Sequence, residues 1–177
     1  MRKILLIFVL YILGVSNAFS LIEVDITRGN LDPLPLAVSP LSIDELSKKN
    51  FNKILNKENI GSEISIIVEN NLRTSGLFNP LDKDAFLQAP DIANLKPRFE
   101  DWNLIKAQAL ITGKVTYVNE KLRVEFRLWD VLAAKEMMAL AFTTVPSNWR
   151  RVGHIISDKV YERLTGEKGY FDTRIIY

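Results

Sequence analysis

The sequence contains no cysteine and a single histidine, His154. Without thiols no disulfide can form, so the fold must rest on burial of apolar surface. With one imidazole and no thiolate there is no His-x-x-His or Cys-x-x-Cys spacing to build a metal site, and no cofactor or metal is expected. Gly-x-Gly-x-x-Gly and the phosphate-loop Gly-Lys-Ser/Thr are also missing. Thr165-Gly166-Glu167-Lys168-Gly169 follows an apolar-periodic stretch, where a phosphate cradle would precede one, and reads as a helix stop and turn. Basic runs do not exceed pairs, as in Lys48-Lys49 and Arg150-Arg151. A polyanion-binding face concentrates such residues, so nucleic acid is not an expected partner. Past residue 20 no stretch is long and apolar enough to span a bilayer, so no membrane insertion of the mature chain is expected.

The first twenty residues have a different character. Arg2 and Lys3 precede an apolar run from Ile4 to Val15, and small residues follow at Ser16, Ala18 and Ser20 before any acid appears. That is the layout of a cleaved export signal, with the cut after Ala18 or after Ser20. Removing residues 1–20 lowers Lys+Arg from 23 to 21, against 21 Asp+Glu, so the mature chain is close to neutral. Its length of about 157 residues suffices for one domain with a real core.

Along that domain, Leu21 to Ile26 alternates as a short half-buried strand, and Thr27 to Pro33 is rich in turn formers. Pro35 and Pro40 flank a second strand at Leu36 to Val38. Ile43 to Asn59 is polar and Lys/Asn-rich and reads as a surface excursion. Ser62 is placed to cap a helix whose stripe is Ile64, Ile67, Val68 and Leu72, ending at Gly76. Leu77-Phe78 is extended, Asp82 starts a brief helical turn, and Phe99 to Ala107 forms a short helix with Trp102, Ile105 and Lys106 toward its buried side.

The clearest pattern is Leu122, Val124, Phe126 and Leu128 alternating with Arg123, Glu125 and Arg127, a strand with one wetted face. Ala109 to Val118 precedes it across Asn119-Glu120 as a hairpin, and Met137 to Val145 adds a third strand of a meander. Trp149, Val152, Ile156, Val160 and Leu164 then recur at helical spacing until Gly166. The implied fold class is α/β: a small mixed sheet of about five strands with two main helices on one face.

Nothing in this pattern assembles a catalytic constellation. His154 lies off the apolar stripe of its helix and reads as exposed or locally hydrogen-bonded. The acid pairs Asp44-Glu45, Asp82/Asp84 and Glu100-Asp101 each sit in a loop or beside a helix start, where carboxylates cap amides, although paired acids also serve glycoside hydrolysis. Trp102, Trp129 and Trp149 lack interleaved basic residues and read as packing, not as a stacking platform.

Three segments resemble the TolB family of the periplasmic Tol-Pal envelope system. They are Gly153-His154 through Ser157-Asp158-Lys159-Val160-Tyr161-Glu162, Leu164-Thr165-Gly166, Lys168-Gly169 and Phe171-Asp172-Thr173-Arg174-Ile175; Asn70, Leu72-Arg73 and Ser75-Gly76 with Phe78-Asn79-Pro80-Leu81; and Ile26, Gly29, Pro35, Ala37-Val38 and Pro40. The resemblance implies the TolB N-terminal, anticodon-binding-domain-like fold, with residues 1–20 a signal peptide, 21–169 the α/β domain, and 170–177 a linker toward a β-propeller. It implies a monomeric, non-enzymatic periplasmic adaptor that supports outer-membrane integrity and envelope constriction in division. By position, the segment that binds the TolA C-terminal domain would be Leu21, Ile22, Glu23, Val24, Asp25, Ile26, Thr27, Arg28, Gly29, Asn30, Leu31 and Asp32. Of these, Asn30-Leu31-Asp32 and the following Pro33 depart from the family's usual sequence. Tyr177 falls where the family chain enters its first propeller blade, so binding of the lipoprotein Pal is implied only if a propeller is present. The fold likeness to anticodon-binding domains is analogy alone, and neutral charge with export argues against a nucleic-acid role. The alternative reading is a free-standing periplasmic module for a lipid or peptidoglycan fragment, which would need an apolar pocket with convergent polar groups.

Overall fold

The structure, a computed structural model, describes residues 32–91 and 96–173. The chain begins with strands β1 (Leu34–Val38) and β2 (Ser42–Ile43), followed by helices α1 (Glu45–Leu55) and α2 (Ile60–Thr74) and strand β3 (Phe78–Pro80). A short helix α3 (Phe99–Leu104) leads to β4 (Ala109–Val118), β5 (Lys121–Asp130) and β6 (Lys135–Thr144), and helix α4 (Trp149–Thr165) follows.

These strands form one mixed sheet of order β3-β1-β4-β5-β6, with β2 also paired to β4. The antiparallel meander β4-β5-β6 forms as its alternation predicts, and Asn119 and Glu120 turn the first hairpin with φ of 50° and 62°. That left-handed pair matches the twist of the flanking strands. On the parallel side, β1 pairs with both β3 and β4. Its continuation β2 returns to β4 after Ser39, Pro40 and Leu41 have passed only Thr112 and Gly113, a one-residue slip. Pro40 has no N–H to offer a ladder, so the break falls where pairing is weakest.

Helix α2 seals that break. Leu41 N–H donates to Ser65 Oγ (3.0 Å), whose hydroxyl lies 3.1 Å from the carbonyls of both Ser39 and Gly61. Gly61 permits the approach, since a Cβ there would stand 2.1 Å from Leu41 O. The predicted stripe is largely correct: Ile64, Val68 and Leu72 are buried and Ile67 is partly so. The cap is corrected, because helix α2 starts at Ile60, two residues before Ser62: Asn59 is the N-cap, its Oδ1 accepting from Ser62 N–H at 3.4 Å. Helix α4 buries Trp149, Val152, Ile156, Val160 and Leu164 on the same face and stops at Gly166 (φ 76°). Gly153 lets it close on α2, where a Cβ would meet Ile67 Cγ2 at 2.8 Å.

Residues 43–59 are not a surface excursion. They hold helix α1, capped by Asp44, whose carboxylate accepts from Ser47 N–H (2.9 Å) and Ser47 Oγ–H (2.7 Å), and closed by Asn56 at φ 53°. One aromatic anchors it: Phe51 is fully buried and meets Tyr117 edge-on at 5.4 Å. Ser47 Oγ also accepts from Tyr117 N–H (2.8 Å), so the helix supplies an acceptor at the end of β4. The opposite face of the sheet carries a second cluster of Ala37, Trp102, Ala107, Leu110 and Val131. Trp102 is its centre, but α3 ends at Leu104, and Lys106 is exposed at φ 62°, outside the helix and away from the core.

Candidate functional site

Of the twelve residues expected to engage a partner, Leu21 to Leu31 lie outside the described residues, and Asp32 is exposed two residues before β1. What the structure supplies is the anchorage that follows. Leu34 N–H donates to Leu77 O (2.9 Å), Leu34 pairs with Phe78, and Leu36 pairs with Pro80 on one side and Ala109 on the other. The strand that carries the exposed Asp32-Pro33 lead is therefore interior to the sheet and held from both edges.

The same anchorage touches the other end of the domain. Phe78, the partner of Leu34, meets the Tyr161 ring edge-on at 6.1 Å, and Tyr161 in turn contacts Tyr170 (5.5 Å) and Phe171 (5.9 Å). Burial, together with the nearby Tyr170 and Glu167, raises the Tyr161 phenol above its ordinary pKa. After Gly166 the chain folds back along α4. Asp158 accepts from Phe171 N–H through Oδ1 (2.7 Å) and from Asp172 N–H through Oδ2 (3.1 Å). Gly169 passes so close that a Cβ would stand 2.4 Å from the Asp158 Cα. Arg151 then grips Asp172 with two nitrogens at 3.0–3.1 Å. Residues 170–172 are thus clamped to the helix, and Leu34, Phe78, Tyr161 and Phe171 form one contiguous path.

The remaining candidates resolve into structure. Asp44 and Asp82 each cap a helical turn, and Asp101 pairs with Arg98 at 2.6 Å. His154 Nδ1 lies 2.9 Å from Asn71 Nδ2, which also donates to Ser157 Oγ. The three indoles are separate: Trp102 Nε1–H donates to Gln88 Oε1 (2.9 Å), Trp129 Nε1–H to Thr112 Oγ1 (2.9 Å), and Trp149 is packed beneath Lys57 and Arg150. Among the described residues no three His, Asp or Glu side chains converge as a metal site, and no helix is long and apolar enough to cross a membrane. A depression of about 640 Å³ lies where β2 meets the starts of α1 and α2. Its lining mixes the charged Asp44, Glu45, Lys48, Asp91 and Lys114 with the apolar Pro40, Leu41, Ile43 and Val115.

Comparison with known proteins agrees with this architecture. The family model for the TolB amino-terminal domain matches residues 22–137. The Tol-Pal system protein TolB of Pelagibacter ubique (strain HTCC1062) is 83% identical over 171 residues, which is 97% of this chain and 38% of that protein. The chain therefore spans well under half the length of the curated relative it matches. The crystal structure of TolB from Acinetobacter baumannii superposes with a TM-score of 0.63 at 22% identity, covering 86% of this chain and 33% of that one, a likeness of fold.

Proposed function

Given that the chain belongs to the TolB family through its amino-terminal domain, we propose that it is a non-catalytic periplasmic adaptor of the Tol-Pal system whose residues Leu21–Asp32 engage the C-terminal domain of TolA. The reading extends to support of outer-membrane integrity and of envelope constriction during division, and to Pal as a partner where a propeller follows the domain. The observation that carries it is the placement of Asp32: the lead is exposed, while the strand it enters is paired on both sides. Such a joint suits a short segment that exchanges between the domain and a partner, since the segment can pair with a foreign strand while the sheet resists the pull.

The test is calorimetric titration of residues 21–177 with the soluble C-terminal domain of TolA, beside a chain lacking Leu21–Asp32. Saturable binding abolished by the deletion supports the assignment. Absence of binding by the undeleted chain at high micromolar concentration, or binding unaffected by the deletion, refutes it.

A further inference from the structure

Strand β6 ends the sheet, bonded to β5 alone among the strands. Proteins ordinarily guard such an edge with inward lysines, proline or a bulge. From Met137 to Val145 this one has neither a charged residue nor a proline. Its bulge sits at the beginning, beside Leu128/Trp129, where Arg163 Nε also reaches Met137 O at 3.4 Å. Beyond that point the strand is regular.

Its two faces differ. Toward the helices, Met138, Leu140 and Phe142 lie opposite Leu128, Phe126 and Val124. Phe142 stacks on Phe126 at 6.0 Å, and Leu140 is 37% exposed, so among the described residues the apolar core runs to the edge and stops there without a cover. Toward the other face the side chains are small: Ala139 and Ala141 stand opposite Arg127 and Glu125. They floor a depression of about 180 Å³ that is also lined by Phe126 and Leu140. The cations on that face are Lys114, Arg123 and Arg127, and the carboxylates Glu125 and Glu136 are paired with Arg123 (2.9 Å) and Arg127 (3.1 Å). Cations outnumber carboxylates among these residues, and Ala139, the edge residue opposite Arg127, is small.

We propose that the β6 edge is a second interaction surface, which takes an extended segment of a partner protein as an added strand. That segment carries apolar side chains at alternate positions, continuing the Leu140–Phe142 face, and carboxylates between them on the arginine side. Backbone pairing supplies affinity, and the alternation with charge sets register and selectivity. The described lead, Asp32-Pro33, enters β1, and β4 and β5 lie between that strand and β6.

The probe is a capped ten-residue peptide alternating valine and glutamate, titrated into isotope-labelled residues 21–177 and followed by amide shifts. Saturable shifts concentrated on β6 are expected, and they persist when Leu21–Asp32 is deleted. Leu140→Lys, at an already exposed site, abolishes them with the unfolding midpoint little changed. Arg127→Glu weakens the glutamate peptide roughly tenfold and strengthens a valine–lysine peptide by a similar factor, a swap that misfolding would not produce. No saturable binding, shifts centred on another element, or equal affinities in both variants overturn the proposal. Sedimentation of the free chain as a dimer that Leu140→Lys dissociates also overturns it, because the edge then belongs to a second copy.

Discussion

Removing the Asp158 carboxylate tests whether the chain's exit is clamped or merely adjacent to the helix. Asp158→Ala deletes the acceptor of two backbone N–H groups, at 2.7 and 3.1 Å, in a half-buried setting. Hydrogen bonds to a charged group contribute about 1.5–3 kcal/mol each. Partial exposure and the surviving Arg151–Asp172 pair pull the joint figure down to about 2–3 kcal/mol of local stability. That corresponds to about a 30- to 150-fold loss of exchange protection at the amides of Phe171 and Asp172. Amide exchange resolved by residue is the direct assay, with the β4-β5 ladder as internal reference. Asp158→Asn keeps a neutral acceptor and should fall between wild type and Asp158→Ala. Gly169→Ala should reproduce the loss from the opposite side, because its Cβ would occupy space within 2.5 Å of Asp158 Oδ1. Unchanged protection of Phe171 and Asp172 in Asp158→Ala, or a uniform fall across the ladder, would refute the clamp.

Gly61→Ala forces a methyl group to within 2.1 Å of Leu41 O and should cost at least about 1–3 kcal/mol in urea denaturation, by prising α2 from the broken strand. Glu69 provides a pH test. Burial opposes its ionisation, yet hydrogen bonds from Lys83 and Arg73, with salt-bridge distances of 2.8 and 2.7 Å, hold its carboxyl below the ordinary 4.5. A folded value below the unfolded one stabilises above the ordinary carboxylate range, and that stabilisation is lost as pH falls through the folded value. Glu69→Gln should therefore lower the unfolding midpoint at pH 7 and narrow its difference from wild type toward pH 3; a constant offset would rule out the linkage.

What the sequence by itself determined is the part whose information is local. Period-two alternation over Leu122–Leu128, a two-residue turn at Asn119-Glu120 and a 3.6-residue stripe from Trp149 to Leu164 each depend on neighbours a few positions away. They led to the meander and helix α4 observed here. Helix α1 was missed in the sequence because its stretch is dominated by Lys, Asn and Ser, and Phe51 is the one large side chain it buries completely. Only the tertiary structure decided that β1 lies between β3 and β4, since a parallel pairing across many residues leaves no mark on the strand itself. It likewise decided that Ser65 completes the strand interrupted at Pro40, and that Trp102 centres a second core on the reverse face. The clamp of Phe171 and Asp172 on Asp158 belongs to the same class. A carboxylate at helical spacing is indistinguishable in sequence from a solvated one until the chain folds back to present its amides.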